Sequence, residues 1–138
     1  MEKKTLTILL IEDDKIEVMK FQRALEKLDL PHEVAVANDG EEALTMLQNG
    51  KVSPCILFLD LNMPKISGLD FLKTLKNDPK LRYLPTIILT TSNNRKDVLA
   101  SYEIGVAGYI LKPLKYQEYL NKIEKTLAYW CENVLIKL

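Results

Sequence analysis

Glu12, Asp13 and Asp14 stand side by side where an apolar run, LTILLI at 6–11, stops. Two carboxylates about 4 Å apart repel by roughly 1 kcal/mol in water and about 4 kcal/mol at a protein surface. Such a cluster needs a compensating charge. Three later apolar runs also end on a reactive side chain: CILFLD at 55–60 on Asp60, TIILT at 86–90 on Thr90, and AGYIL at 107–111 just before Lys112. With Glu12, Asp13, Asp60 and Lys112 all ionised, three carboxylates against one ammonium leave a net charge of −2. A divalent cation would neutralise it, and magnesium suits oxygen ligands, using one or two carboxylates and keeping waters or phosphate oxygens. A carboxylate beside a metal and a lysine can attack a phosphoryl group to form an aspartyl phosphate. The metal and lysine would screen the incoming charge, and the Thr90 hydroxyl can donate to a phosphoryl oxygen. Each residue also has a plainer reading. Acids after a strand are favoured by the dipole of the following helix, a threonine ends strands as a β-former, and a lysine before proline sits in a solvated loop.

The elements that position these residues follow from periodicity. LTILLI (6–11), HEVAVA (32–37), CILFLD (55–60), TIILT (86–90) and AGYIL (107–111) are short strand candidates alternating with segments of helical period. The first helix places Val18, Phe21, Leu25 and Leu28 on one face, and Asp14 with Glu17 resembles a capping box at its start. Asp39 with Glu42 and Ser67 with Asp70 repeat that signal, while Asn77-Asp78-Pro79 and Gly105 read as stops. Strands that are apolar at nearly every residue, alternating strictly with helices, predict a doubly wound α/β domain with a parallel sheet covered on both faces. Ligands of such sheets bind beyond the carboxyl ends of the strands. Glu12, Asp13, Asp60, Thr90 and Lys112 all fall on that rim.

The chain has 138 residues, enough for one domain, and no effector domain is expected beside it. Lysine plus arginine equals aspartate plus glutamate at 19 each, so no bulk charge points to nucleic acid or a membrane surface. The opening MEKKTLTILLIEDD has a basic start, but its apolar run is too short for an export signal and ends in acids. No segment is apolar for long enough to span a bilayer. Cys55 and Cys131 have neither pairing nor metal-ligand spacing and read as thiols of a reducing compartment. A cytoplasmic location is expected. His32, at the start of the second strand, lies away from the rim and receives no catalytic role.

Over nearly its whole length the chain resembles response-regulator receiver domains. The matching blocks are Glu12-Asp13 after the first strand, Asp60 in LDLNMPKISG, Thr90 in ILTTS and Lys112-Pro113 in GYILKP. The resemblance implies a flavodoxin-like, five-stranded parallel sheet of order 2-1-3-4-5. It also implies that Asp60 is the phosphoacceptor and, with Asp13, a magnesium ligand, that Glu12 acts chiefly through water, and that the Asn62 carbonyl completes the protein's ligands. Lys112 would contact the phosphoryl group, a cis Lys112–Pro113 bond would aim it at Asp60, and Thr90 with Tyr109 would form the conformational switch. The implied partner is a sensor histidine kinase or a histidine phosphotransfer protein, and the only reactions catalysed are the domain's own phosphotransfer and dephosphorylation. Departures are small: Ser67 precedes Gly68 where the family often has aspartate, and Leu61 rather than tryptophan follows Asp60. LTTS and the Ala128-Tyr129-Trp130 ending of the long last helix are similar to stand-alone regulators that partner bacterial phytochrome kinases, which implies a light-sensing kinase upstream, with other single-domain receivers, including those of chemotaxis, as the alternative.

Three other readings compete with this one. A haloacid-dehalogenase phosphatase needs a second aspartate two positions after its nucleophile, where this chain has Asn62. A flavin-binding protein of this fold class would seat a phosphate where Glu12-Asp13-Asp14 repels it. A receiver-fold interaction module that is never phosphorylated is the surviving alternative. For output, Tyr116, Leu120, Ile123, Leu127, Trp130 and Val134 form a long seam on the last helix, with Tyr119, Tyr129 and Trp130 widening it. With Tyr102 on the fourth helix and Tyr109 on the last strand, this face is expected to bind a partner or form a homodimer.

Overall fold

The computed structural model describes residues 4–136. Strands β1 (Thr7–Ile11), β2 (Glu33–Ala37), β3 (Ile56–Leu59), β4 (Thr86–Thr90) and β5 (Gly108–Leu111) alternate with helices α1 (Lys15–Lys27), α2 (Gly40–Gln48), α3 (Gly68–Asn77), α4 (Arg95–Ile104) and α5 (Tyr116–Cys131). The strands form one parallel sheet in the order β2-β1-β3-β4-β5. The fold is thus the doubly wound, flavodoxin-like one, with its order reversing between β1 and β3.

The apolar runs are continuous because both faces of the central strands are buried. Leu9, Ile11, Leu57, Leu59 and Ile88 pack under α2 and α3, against Met46, Leu47, Phe71, Leu72 and Leu75. The intervening Ile8, Leu10, Ile56, Phe58, Ile87 and Leu89 face α1 and α5 and meet Phe21, Leu25, Tyr119, Leu120, Ile123 and Leu127. This two-residue alternation fixes the register, because a slip of one residue would exchange the two faces.

Local signals set where the helices begin. Asp14 caps α1 by accepting from the Ile16 N–H at 2.9 Å, but the expected capping box does not close. The Asp14 N–H goes to Glu12 Oε2 at 3.3 Å, and Glu17 is turned elsewhere. In α2 the Asp39 carboxylate caps the Glu42 N–H at 2.8 Å, while the Glu42 carboxylate accepts from the Asn38 N–H at 3.2 Å. Ser67 caps α3 through the Asp70 N–H at 3.2 Å, so serine serves where aspartate is common. Gly68 lets α3 start against the segment after β3: a Cβ there would lie 2.6 Å from Leu61 Cα and 2.8 Å from the Asp60 carbonyl oxygen. At the far end of α4, Gly105 takes φ +118°, and its N–H closes on the Ser101 carbonyl at 3.1 Å.

Three expectations are corrected. The Lys112–Pro113 bond is trans, since the described residues contain no cis peptide; trans is the ordinary preference of such bonds, and Lys112 reaches the rim from it. Tyr119 is only 1% exposed, because it lies in the α1–α5 core with Lys20 over its ring at 4.5 Å. The last seam also stops early: α5 ends at Cys131, so Val134 lies outside the helix and is fully exposed. Cys55 and Cys131 are free thiols. Among the described residues no helix is long and apolar enough to cross a membrane.

Candidate functional site

β1 and β3 are adjacent, and each ends on acids, so their carboxyl termini bring Glu12, Asp13 and Asp60 together. Each offers a carboxylate oxygen within 4.8 Å of the others. Their environments differ. Glu12 is 3% exposed and Asp60 8%, whereas Asp13 faces solvent. Glu12 and Asp60 are also held at the backbone, through the Glu12 N–H to the Ala37 carbonyl at 3.0 Å and the Asp60 N–H to the Ile11 carbonyl at 3.1 Å. The two buried carboxylates therefore start from fixed positions. Burial raises the Glu12 pKa to about 7, and the Asp60 charge adds to that, while Lys112 opposes it.

Lys112 arrives from the end of β5, where its N–H donates to the Thr90 carbonyl at 2.8 Å. Its ammonium is 2.6 Å from Glu12 Oε1 and 3.4 Å from Glu17 Oε2. Burial disfavours the ammonium, but the Glu12 hydrogen bond and charge, with Asp60 and Glu17, outweigh it and raise its pKa. Lys112 stays cationic. Among the described residues no ion pair joins it to Asp60, so the expected aim at Asp60 is corrected to Glu12 and Glu17. The deeply buried Glu12 needs the cation's hydrogen bond, whereas Asp60 Oδ1 already accepts from the Asn62 N–H at 3.4 Å.

Thr90 is fully buried at the end of β4, and its Oγ1 accepts from the Ser92 N–H at 3.4 Å. The half-buried Tyr109 donates its hydroxyl to the Ser92 carbonyl at 2.8 Å, and Ser92 Oγ donates to Asp97 Oδ2 at 2.7 Å. Burial raises the Tyr109 pKa, so the phenol remains a donor. Thr90 and Tyr109 therefore meet through the same residue, and Asp97 joins the start of α4 to it.

The structure brings Glu12, Asp13, Asp60, Asn62, Thr90 and Lys112 to one rim and places Tyr109, which pairs with Ile88, two residue pairs behind the Thr90–Leu111 pair. His32 lies at the opposite end of the sheet, where Nδ1 accepts from the Leu6 N–H at 3.0 Å and burial lowers its pKa. Glu17 is the member that sequence reasoning assigned to another task. Its spacing from Asp14 matched a cap, and nothing local showed that α1 turns it toward a lysine from the far end of the chain.

Chemically, three convergent carboxylates suit a hard divalent cation. A buried, backbone-held aspartate beside that seat and a cationic lysine suits an incoming phosphoryl group. Comparison with known proteins agrees. The family described as Response regulator receiver domain matches residues 8–124. The response regulator Rcp1 of Synechocystis sp. is 34% identical over 134 residues, covering 94% of this chain and 91% of that protein. The chemotaxis protein CheY of Pseudomonas aeruginosa is 32% identical, covering 87% of this chain and 94% of that protein. Among solved structures, the Mn(2+)-bound form of Rcp1 superposes with a TM-score of 0.85 at 34% identity, covering 94% of this chain and 96% of that one. The phosphorylated cyanobacterial phytochrome response regulator RcpA gives 0.88 at 32% identity, covering 96% and 99%.

Proposed function

The chain belongs to the response regulator receiver domain family of two-component systems, and from that premise we propose that it carries a signal as an aspartyl phosphate on Asp60. The observation that carries this reading is the convergence of Glu12, Asp13 and Asp60 within 4.8 Å, with the Lys112 ammonium 2.6 Å from Glu12. An Asp60 carboxylate oxygen attacks the phosphorus of a phosphohistidine on a histidine kinase or phosphotransfer protein. The P–O bond forms as the P–N bond breaks, and the imidazole leaves. Asp13 and Asp60, with the Asn62 carbonyl and with Glu12 through water, would hold magnesium. That ion would supply charge neutralisation for the dianionic donor. Lys112 then turns from Glu12 to the phosphoryl oxygens, and the Thr90 hydroxyl follows them. Because Thr90 and Tyr109 share Ser92, that movement reaches α4 and β5.

The domain is proposed to act in the cytoplasm without direct nucleic-acid binding, and on no substrate besides its own aspartate. The likeness to RcpA supports a light-sensing kinase as the phosphate source. The face formed by α4, β5 and α5 exposes Leu99, Tyr102, Leu111 and Tyr129, and it is proposed as the surface for a partner or a second copy. Light scattering with and without beryllofluoride distinguishes the two.

The phosphoacceptor reading is tested with acetyl phosphate and intact-mass spectrometry. One phosphate adduct is expected in magnesium, none in chelator and none in Asp60→Asn. An adduct that persists in Asp60→Asn or forms equally well in chelator contradicts the assignment. If no adduct forms under any condition, the interaction module that is never phosphorylated takes its place.

A further inference from the structure

Glu17 lies in the first turn of α1, and its side chain reaches back over the rim. Its Oε2 atom is buried without a hydrogen-bond partner, 3.4 Å from the Lys112 ammonium. A buried carboxylate oxygen without a hydrogen bond is costly unless a charge compensates it. Here Lys112 is that charge, and its side chain is only 7% exposed. Glu17 thus competes with the centre for the same cation.

We infer that Glu17 is a positioning residue that stations Lys112 away from Asp60 and so sets how strongly the rim holds a phosphoryl group; this rests on the phosphoacceptor reading above. Two electrostatic effects act in the same direction. A phosphoryl group on Asp60 draws the ammonium off Glu17 and strips the counter-charge from a buried oxygen. The Glu17 charge also repels the dianion directly. Magnesium is affected oppositely. Glu17 adds negative potential at the metal seat, and by engaging Lys112 it limits that lysine's competition for Glu12. A neutral residue of the same shape should therefore bind a phosphoryl mimic more tightly and magnesium more weakly. Loss of structure alone would weaken both.

The test measures two dissociation constants in the full chain, for magnesium alone and for beryllofluoride at saturating magnesium, in the parent, Glu17→Gln and Glu17→Asp. Glu17→Gln is expected to bind beryllofluoride about three- to tenfold more tightly, and magnesium more weakly by a similar factor. Glu17→Asp keeps the charge and should stay nearer the parent in both, which also provides a readable variant if the glutamine protein folds poorly. If both affinities fall together in Glu17→Gln, or neither moves, while the parent binds beryllofluoride normally, the inference is overturned and the phosphoacceptor reading stands. If the parent itself binds no beryllofluoride, the phosphoacceptor reading fails and the inference fails with it.

Discussion

The centre of the sheet and its β5 edge are built to different standards. In β1 and β3, Ile8, Leu9, Ile11, Ile56, Leu57, Phe58 and Leu59 are all 0% exposed, and each strand has a hydrogen-bonded neighbour on both sides. β5 pairs with β4 alone, its residues are half-buried or exposed, and α4 beside it buries only Ser101. Leu99 and Tyr102 on α4 are 49% and 53% exposed. The acids of the rim, proposed to carry the chemistry, follow strands of the first region, and the side chains proposed to report it sit on the second. Rigid strands hold carboxylates in place for a metal, whereas an element with little apolar burial can shift at small cost. The Ser92 carbonyl, held by Tyr109, and the Ser92 hydroxyl, given to Asp97, tie β5 and α4 to the loop after β4, and the Ser92 N–H, donated to the Thr90 hydroxyl, ties that loop to the rim.

The widest separation should appear when the same kind of truncation is made in both regions. Phe58→Ala removes a fully buried ring that packs on Phe21 with centroids 5.2 Å apart, and should cost about 3–5 kcal/mol in urea unfolding. Leu99→Ala on α4 should stay within about 0.5 kcal/mol of the parent. Equal losses would mean that the edge is packed as tightly as the centre.

Glycines sharpen the comparison at smaller scale. Gly68→Ala drives a Cβ into Leu61 Cα and the Asp60 carbonyl. It should cost about 1–3 kcal/mol and also weaken magnesium binding, since the displaced backbone carries Asp60. Gly105→Ala meets only the Lys76 side chain, at an ordinary contact distance of 3.7 Å, but must adopt φ +118°. It should cost about 1–2 kcal/mol and leave the metal affinity of the rim unchanged. Thermal unfolding followed by magnesium titration of each variant checks both halves, and a Gly105→Ala protein that loses metal would show that the regions are not separable.

Within the rim, neighbouring acids should part company. Asp13→Ala should lose most magnesium affinity with little effect on stability, because the side chain is exposed and caps nothing. Asp14→Ala removes the cap on the Ile16 N–H and should cost about 1 kcal/mol with only a small change in metal binding. Isothermal titration with magnesium and denaturant unfolding give the two columns of that comparison.

The centre was legible in the sequence and the edge less so, for physical reasons. LTILLI and CILFLD are buried on both faces, so composition alone marks them, and their terminal acids fall on the rim because parallel strands all end on one side. Asp39, Ser67 and Gly105 act within a few residues of themselves, and their caps and stop appear where spacing puts them. Glu17 and Tyr119 depend on how α1 and α5 are rotated over the sheet. Glu17 matched a capping pattern and turned out to face Lys112; Tyr119 widened a surface stripe on paper and proved to be core. The Lys112–Pro113 bond took its expected geometry from resemblance, and the trans bond brings the lysine to Glu12 directly.

The coupling between the two regions is tested most directly by amide hydrogen exchange on the protein in magnesium, with and without beryllofluoride, alongside Asp60→Asn. The account predicts that beryllofluoride changes protection in the loop after Thr90, in α4 and in β5, leaves β1 and β3 unchanged apart from their last residues, and does nothing to Asp60→Asn. Unchanged exchange at α4 and β5 in the parent, or the same change in Asp60→Asn, would contradict it.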